Sequence, residues 1–177
     1  MAEPVSLLQV RRQLRIDPDA DTDLLTGYVA AARAHVEQFT GITLKPNTIV
    51  ELHDGFPEML RSWPVEPATA VIRYQNGSGS DVEYVGARIG GGRPARLSPA
   101  PSTSWPATLA GARETVAVRI DAGYADPAAI PADIVQAVLM LVAHWYRNRE
   151  AVVIGAAVAE LPMAVQALLA PHRRWYS

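Results

Sequence analysis

The sequence predicts an α+β fold: a mainly helical core from both chain ends, with a small antiparallel β-region inserted between the second and third helices. Three observations predict it. Apolar residues recur at helical spacing near both termini. The middle, from Thr43 to Tyr124, is rich in Pro, Gly, Ser and β-branched residues. Period-two alternation marks Thr115 to Asp121 inside that middle. Elements segregated along the chain in this way argue for α+β, whereas interleaved ones would argue for α/β. The reading is a single domain, with residues 1–42 and 130–170 as helical core, 43–125 as β-rich insertion and 171–177 as a C-terminal tail.

Taken in order, Ser6-Leu7-Leu8-Gln9 has the form of a capping box, and Leu7, Val10 and Leu14 continue it as a short helix to about Leu14. The run Asp17-Pro18-Asp19-Ala20-Asp21 breaks that helix. A second helix runs from Thr22 to about Phe39, with Leu25, Tyr28, Val29, Ala32, Val36 and Phe39 on one apolar stripe. Asp21 and Asp23 stand at its start, where the helix dipole favours negative charge, and Gly41 suits its end. Thr48 to Leu52 reads as a strand. Thr69–Tyr74 and Val82–Val85 flank an Asn76-Gly77 turn and read as a hairpin. Gly90 to Pro94 is a flexible connection, Arg96 to Ser98 a short strand, and Thr115 to Asp121 a strand with Val116, Val118 and Ile120 on one face. Pro131 suits the first position of a third helix reaching about Glu150, apolar nearly all round and so expected to be buried on more than one side. A last helix spans Met163 to Leu169, between Pro162 and Pro171.

Composition narrows the function classes. The chain has 177 residues, the size of one domain, and 49% of them are hydrophobic, enough for a real core. Charged residues are 19%, below the usual share of about a quarter. That fits a surface covered by partners, and it fits a plain Ala-rich composition. A net charge of -2 gives no global basic signature for nucleic acid. The absence of cysteine excludes disulfides, thiolate metal sites and cysteine nucleophiles. Met1-Ala2-Glu3-Pro4 has neither the basic nor the apolar region of a signal peptide. The longest apolar stretch, Ile134 to Tyr146, is interrupted by Gln136 and His144 and falls short of the roughly 20 residues a bilayer needs. The expectation is a soluble protein made in the cytoplasm.

No motif for a cofactor or metal emerges. Asp17, Asp19 and Asp21 have the spacing that opens a calcium loop, but Thr22 and Tyr28 stand where that loop needs Gly and Glu. Gly90-Gly91-Gly92 lacks the Lys-Ser or Lys-Thr of a phosphate loop. His35, His53, His144 and His172 are scattered. An enzyme would have to assemble its site from the β-insertion, and Glu51, His53 and Asp121 are the residues whose chemistry suits one. A nucleic-acid-binding module would use Arg88, Arg93, Arg96 and the C-terminal arginines. The tail Arg173-Arg174-Trp175-Tyr176 reads as a phosphate- or base-binding end, as an anchor for a partner's pocket, or as a frayed terminus. The densest constellation is His144-Trp145-Tyr146-Arg147-Asn148-Arg149-Glu150, followed by Val152 and Val153. Large aromatics and arginines after an all-apolar helix suit an interface, and they also suit a buried aromatic pair at a helix end with solvated charges beyond it.

Several segments, in order, carry a family resemblance: Leu14-Arg15-Ile16-Asp17 with Asp23-Leu24-Leu25; Ala30 to Gly41; Trp63-Pro64-Val65-Glu66-Pro67 into Val71-Ile72-Arg73-Tyr74; Trp105-Pro106; Asp121 to Tyr124; Ile130 to Ala137; and His144 to Glu150. Together they resemble the head-tail connector, or head-completion adaptor, proteins of siphophages and gene transfer agents. The resemblance covers about Val5 to Arg174 and leaves Gly90–Pro101 and Ala151–Glu160 unmatched. It implies a structural protein without catalytic residues or cofactor. The subunit would join a dodecameric ring beneath a portal, with a stopper or tail-completion protein on the other side and DNA passing non-specifically through the centre. It implies no membrane partner, assembly in the cytoplasm, and a final place in the particle neck. It makes the C-terminal segment the portal-docking element, so Trp145, Tyr146, Arg147, Arg149, Glu150, Val152, Val153, Arg173, Arg174, Trp175 and Tyr176 become subunit or portal contacts. Arg88, Arg93 and Arg96 become channel-facing.

Overall fold

Helix α1 (Leu7–Leu14) starts where the Ser-x-x-Gln spacing places it. In the computed structural model, which describes residues 3–148 and 163–173, Ser6 Oγ accepts the Gln9 N–H at 3.2 Å and Gln9 Oε1 accepts the Ser6 N–H at 2.8 Å. Both halves of the capping box form, and two N–H groups that the helix cannot satisfy itself are satisfied. Ser6→Ala removes one half and is expected to cost about 1 kcal/mol, read as a lower midpoint in a thermal melt.

The chain forms two compact units, one of Met1–Lys45 with Tyr124–Ser177 and one of Pro46–Gly123. In the first, Arg15 leaves α1 in the left-handed region at φ 57, and α2 spans Thr22–Thr40. Arg11 ties the two helices together, its guanidinium donating to Thr22 Oγ1 at 2.6 Å. Gly41, at φ 70, closes α2 and donates its N–H to the Glu37 carbonyl at 2.8 Å. The Glu37 side chain then accepts the N–H groups of Leu44 and Lys45, so one residue holds the exit from the helix. Arg33 binds both Glu37 (2.6 Å) and Glu3 (2.8 Å), and Lys45 also reaches Glu3 (2.8 Å), which fixes the N-terminal segment to α2. Burial alone would raise the Glu3 pKa, but Lys45 and Arg33 outweigh it and hold the carboxyl below its ordinary value.

Helix α3 spans Ala132–Arg147, and Pro131 occupies the capping position one residue before the expected first turn. Its ψ of 136 is extended, and its carbonyl accepts the Val135 N–H. The helix ends at Arg147, short of the expected Glu150, because Asn148 leaves helical geometry and turns its side-chain amide back onto the His144 carbonyl at 2.9 Å. Arg149 and Glu150 lie outside the described residues. Helix α4 is Met163–Leu169, followed by a 3-10 turn at Ala170–His172. Leu25, Val29, Ala32 and Val36 of α2 are buried, with Ile134, Ala137, Val138, Leu141 and Val142 of α3 and Val165 and Leu169 of α4. Among the described residues no helix is long and apolar enough to cross a membrane.

The second unit holds a four-stranded antiparallel sheet in the order β1-β6-β2-β3. The strands are β1 (Asn47–His53), β2 (Val65–Gln75), β3 (Asp81–Tyr84) and β6 (Val116–Ala122). A two-stranded ribbon joins β4 (Arg88–Ile89) to β5 (Leu97–Ser98). Strand β6 lies between β1 and β2, and its Val116, Val118 and Ile120 are fully buried, as their alternation requires. Strand β2 begins four residues before the expected Thr69, and its register on β6 shifts between Glu66 and Val71. Pro67 falls in that shift, where no ladder bond needs its missing N–H. The core joins Leu60, Ile72, Ala95 and Leu97 to the β6 residues, and Phe56, Tyr74, Tyr84 and Trp105 pack against it. Phe56 and Trp105 stack at 4.4 Å with an interplanar angle of 4°.

Candidate subunit interface

The end of α3 brings together part of the constellation picked out from the sequence. Trp145 packs its ring 6.3 Å from that of Tyr28 on α2. Tyr146 donates its hydroxyl to Asp21 Oδ2 at 2.6 Å. Asp21 caps nothing with its side chain, so it holds the far end of α3 instead of the start of α2. Both aromatics are therefore half-buried against their own chain, while Arg147 is exposed beyond them. The stripe of α3 that faces the core is buried, and Val135, Leu139 and Met140 beside it stay only half-covered. Val135 lines an open apolar groove of about 900 Å³, together with Val5, Leu7, Val29, Ala30 and Ile130. The expectation that this helix is buried on more than one side is thus met only along one stripe within a single chain. The flanks retain apolar surface.

The C-terminal end is anchored twice. His172 Nε2 meets Asp133 Oδ2 at 2.5 Å, at the first turn of α3. Burial would raise the Asp133 pKa, but the His172 contact and the Ile134 N–H lower it below its ordinary value. Arg173 lies 5.4 Å over the Phe39 ring. Met163, at the other end of α4, is 86% exposed. The remaining interface candidates, Arg149, Glu150, Val152, Val153, Arg174, Trp175 and Tyr176, lie outside the described residues.

The candidate enzyme site does not assemble. Glu51 and His53 share a face of β1 and touch at 3.1 Å. Thr48, three residues before Glu51, pairs with Asp121, which places Asp121 on the opposite face of the sheet. Asp121 instead accepts the Thr48 hydroxyl at 2.6 Å. Glu51 is 5% exposed and accepts the N–H groups of Ser62 (2.6 Å) and Arg61 (2.9 Å). Burial works to raise its pKa, but those donors and the charge of His53 prevail, and the carboxyl sits below its ordinary value. It is a carboxylate held ionised to satisfy a loop, which is structural chemistry. Among the described residues no group of three His, Asp or Glu side chains could hold a metal ion.

Arg88, Arg93 and Arg96 fall on the β4–β5 ribbon. Ala87, Ile89, Ala95 and Leu97 turn inward to the core, so Arg88 and Arg96 share the exposed face, and Arg93 lies 4.8 Å over the Trp63 ring. Residues 86–113 contain four arginines and no acidic residue, so this segment is basic although the chain carries -2. The Tyr146–Asp21 and Trp145–Tyr28 contacts were not legible in the sequence. They join residues more than a hundred positions apart, and their only signal was the pairing of an apolar helix with an aromatic end.

Comparison with known proteins follows this geometry. A family model described as phage gp6-like head-tail connector protein matches residues 4–88 and 107–173. No curated protein sequence matches the chain. Among solved structures, a chain in the neck of an empty gene transfer agent particle, computed with C6 symmetry, is 25% identical with a TM-score of 0.72, covering 100% of this chain and 94% of that one. A chain in the neck of the native particle, computed with C12 symmetry, is 26% identical with a TM-score of 0.72 over the same shares. A chain in the virion of a native gene transfer agent particle is 25% identical with a TM-score of 0.73, covering 98% and 91%.

Proposed function

The chain belongs to the phage gp6-like head-tail connector family and is a structural adaptor of the particle neck, and from that premise we propose that it works as one subunit of a closed ring through which DNA passes. The observation that carries this reading is the match along the whole chain to neck chains solved with six- and twelve-fold symmetry. The half-covered flank of α3 supports it, because a ring needs two different complementary faces on each subunit. The ring sits between a portal and a stopper or tail-completion protein, assembles in the cytoplasm, and carries no catalytic site or cofactor.

The portal or subunit contacts are Arg147 with Trp145 and Tyr146 behind it, Arg149, Glu150, Val152 and Val153, and the tail Arg173 to Tyr176. Arg88, Arg93 and Arg96 face the DNA. Arg147→Glu tests the first assignment. The charge reversal is expected to weaken assembly with the portal about tenfold, a loss of ~1.4 kcal/mol, while the melting midpoint stays unchanged because Arg147 is exposed. Analytical ultracentrifugation of the two proteins mixed reads it. Wild-type assembly by this variant would remove Arg147 from the interface.

A further inference from the structure

The sheet β1-β6-β2-β3 has two edges, and neither is covered by another strand among the described residues. Edge β1 is seven residues long with no proline and no lysine, and Val50 and Leu52 on its outer face are 57% and 42% exposed. Edge strands normally carry charges, prolines or bulges that block pairing with another chain. β1 has no proline, lysine or bulge, and its one carboxylate, Glu51, points inward and is held by the Arg61 and Ser62 N–H groups, leaving only apolar side chains, Val50 and Leu52, on the outer face at its centre. No backbone bond to a loop covers it among the described residues. The opposite edge, β3, is followed directly by Val85, which is 81% exposed. Four large hydrophobics of this unit are exposed among the described residues, Val50, Leu52, Met59 and Val85, and three of them stand at the two edges.

Strand direction says which edges can meet. All three pairings in the sheet are antiparallel, so β3 runs opposite to β1. Copies related by rotation about an axis running along the strands bring β3 of one against β1 of the next, antiparallel, which makes the more stable ladder. A two-fold axis would set β1 against β1 and close a dimer, whereas a ring needs a heterologous contact. Glu83 aligns with Arg73, Ala117 and Leu52 across the sheet, so Asp81 and Glu83 share the outer face with Val50 and Arg119. Glu83 already meets Arg73 of its own chain at 3.9 Å, and Asp121 shares the face of Arg119, so strand direction and exposed apolar surface, and not charge, select these edges.

We propose that β1 of one copy pairs antiparallel with β3 of the neighbouring copy, so that the sheets of the ring join edge to edge into one continuous belt. The inference rests on the ring reading above and adds to it the strands that meet.

The absence of cysteine makes the test direct. Four double variants of the full chain place cysteine at 50 or 52 together with 81 or 83, all on one face. Within one chain these positions are three strands apart, roughly 14 Å, too far for a disulfide, which needs Cβ atoms about 3.5–4.5 Å apart. Mild oxidation is expected to give a covalent ladder up to the ring size from at least one pair, and no ladder from the single variants. Native mass spectrometry reads the assembly in parallel. Rings with no ladder from any pair would overturn the edge pairing and leave the ring reading standing. Neither ring nor ladder would overturn both. Cross-linked dimers from Val50→Cys or Leu52→Cys alone would show β1 meeting β1 and overturn the proposal. Val50→Lys, on an exposed position, is expected to raise the concentration at which rings form about tenfold with an unchanged melting midpoint; assembly at the parental concentration would overturn the proposal as well.

Discussion

Leu141→Ala is expected to destabilise the helical unit by about 3 kcal/mol. Leu141 is 1% exposed at the middle of α3, and that helix packs against α1, α2 and α4. Three neighbouring helices cannot all close in on the space a leucine leaves, so a cavity term adds to the lost transfer energy. Urea unfolding followed by far-ultraviolet circular dichroism measures it as a lower midpoint with an unchanged slope. Leu139→Ala is the comparison. Leu139 is half-covered on the same helix, and its truncation is expected to cost only about 1 kcal/mol in the single chain while weakening assembly more than Leu141→Ala does relative to its effect on folding. Equal losses at the two positions would contradict the one-sided burial of α3.

The second large effect is at Glu51. Glu51→Ala removes the acceptor of the buried Ser62 N–H and of the part-buried Arg61 N–H and is expected to cost about 3 kcal/mol. Glu51→Gln keeps one acceptor oxygen and should lose less. The charge also sets a pH dependence. Burial alone would raise the pKa of Glu51, and the donors of Arg61 and Ser62 with His53 override it, so the folded value lies below the ordinary 4.5. A group whose folded pKa is depressed binds its proton more weakly in the folded state. Its stabilisation is complete above the ordinary value and is lost as pH falls from there through the folded value. Denaturant midpoints measured from pH 6 down to pH 3 should fall in the parent protein and fall less steeply in Glu51→Gln. Parallel curves would assign the acid sensitivity to other carboxylates, with Glu3 and Asp133 next in line because both are also held below their ordinary values.

Much of the architecture could be read residue by residue, and the reasons are local. Ser6 and Gln9 mark the start of α1 because a capping box needs only four residues. Gly41 marks the end of α2 because it takes a positive φ that side chains resist. Strand β6 was legible from its alternation because both faces differ in burial. Where the reading fell short, the missing information was distant in the chain. Strand β4 has two residues and exists only through its pairing with β5. The early part of β2 was hidden by Pro67, which is tolerated because β2 shifts its register on β6 there.

The functional surface divides the same way. Periodicity, capping residues, turn glycines and the ordered family segments were written in the chain, since each depends on neighbours a few positions away. They determined the α+β class and the connector family. Which side chains meet was decided by packing between elements. Asp21 holds Tyr146, Trp145 leans on Tyr28, and Asp121 lies across the sheet from Glu51. The half-covered flank of α3 and the bare edge of β1 belong to this second group, because exposure is a property of what else lies nearby, and only a folded chain has that.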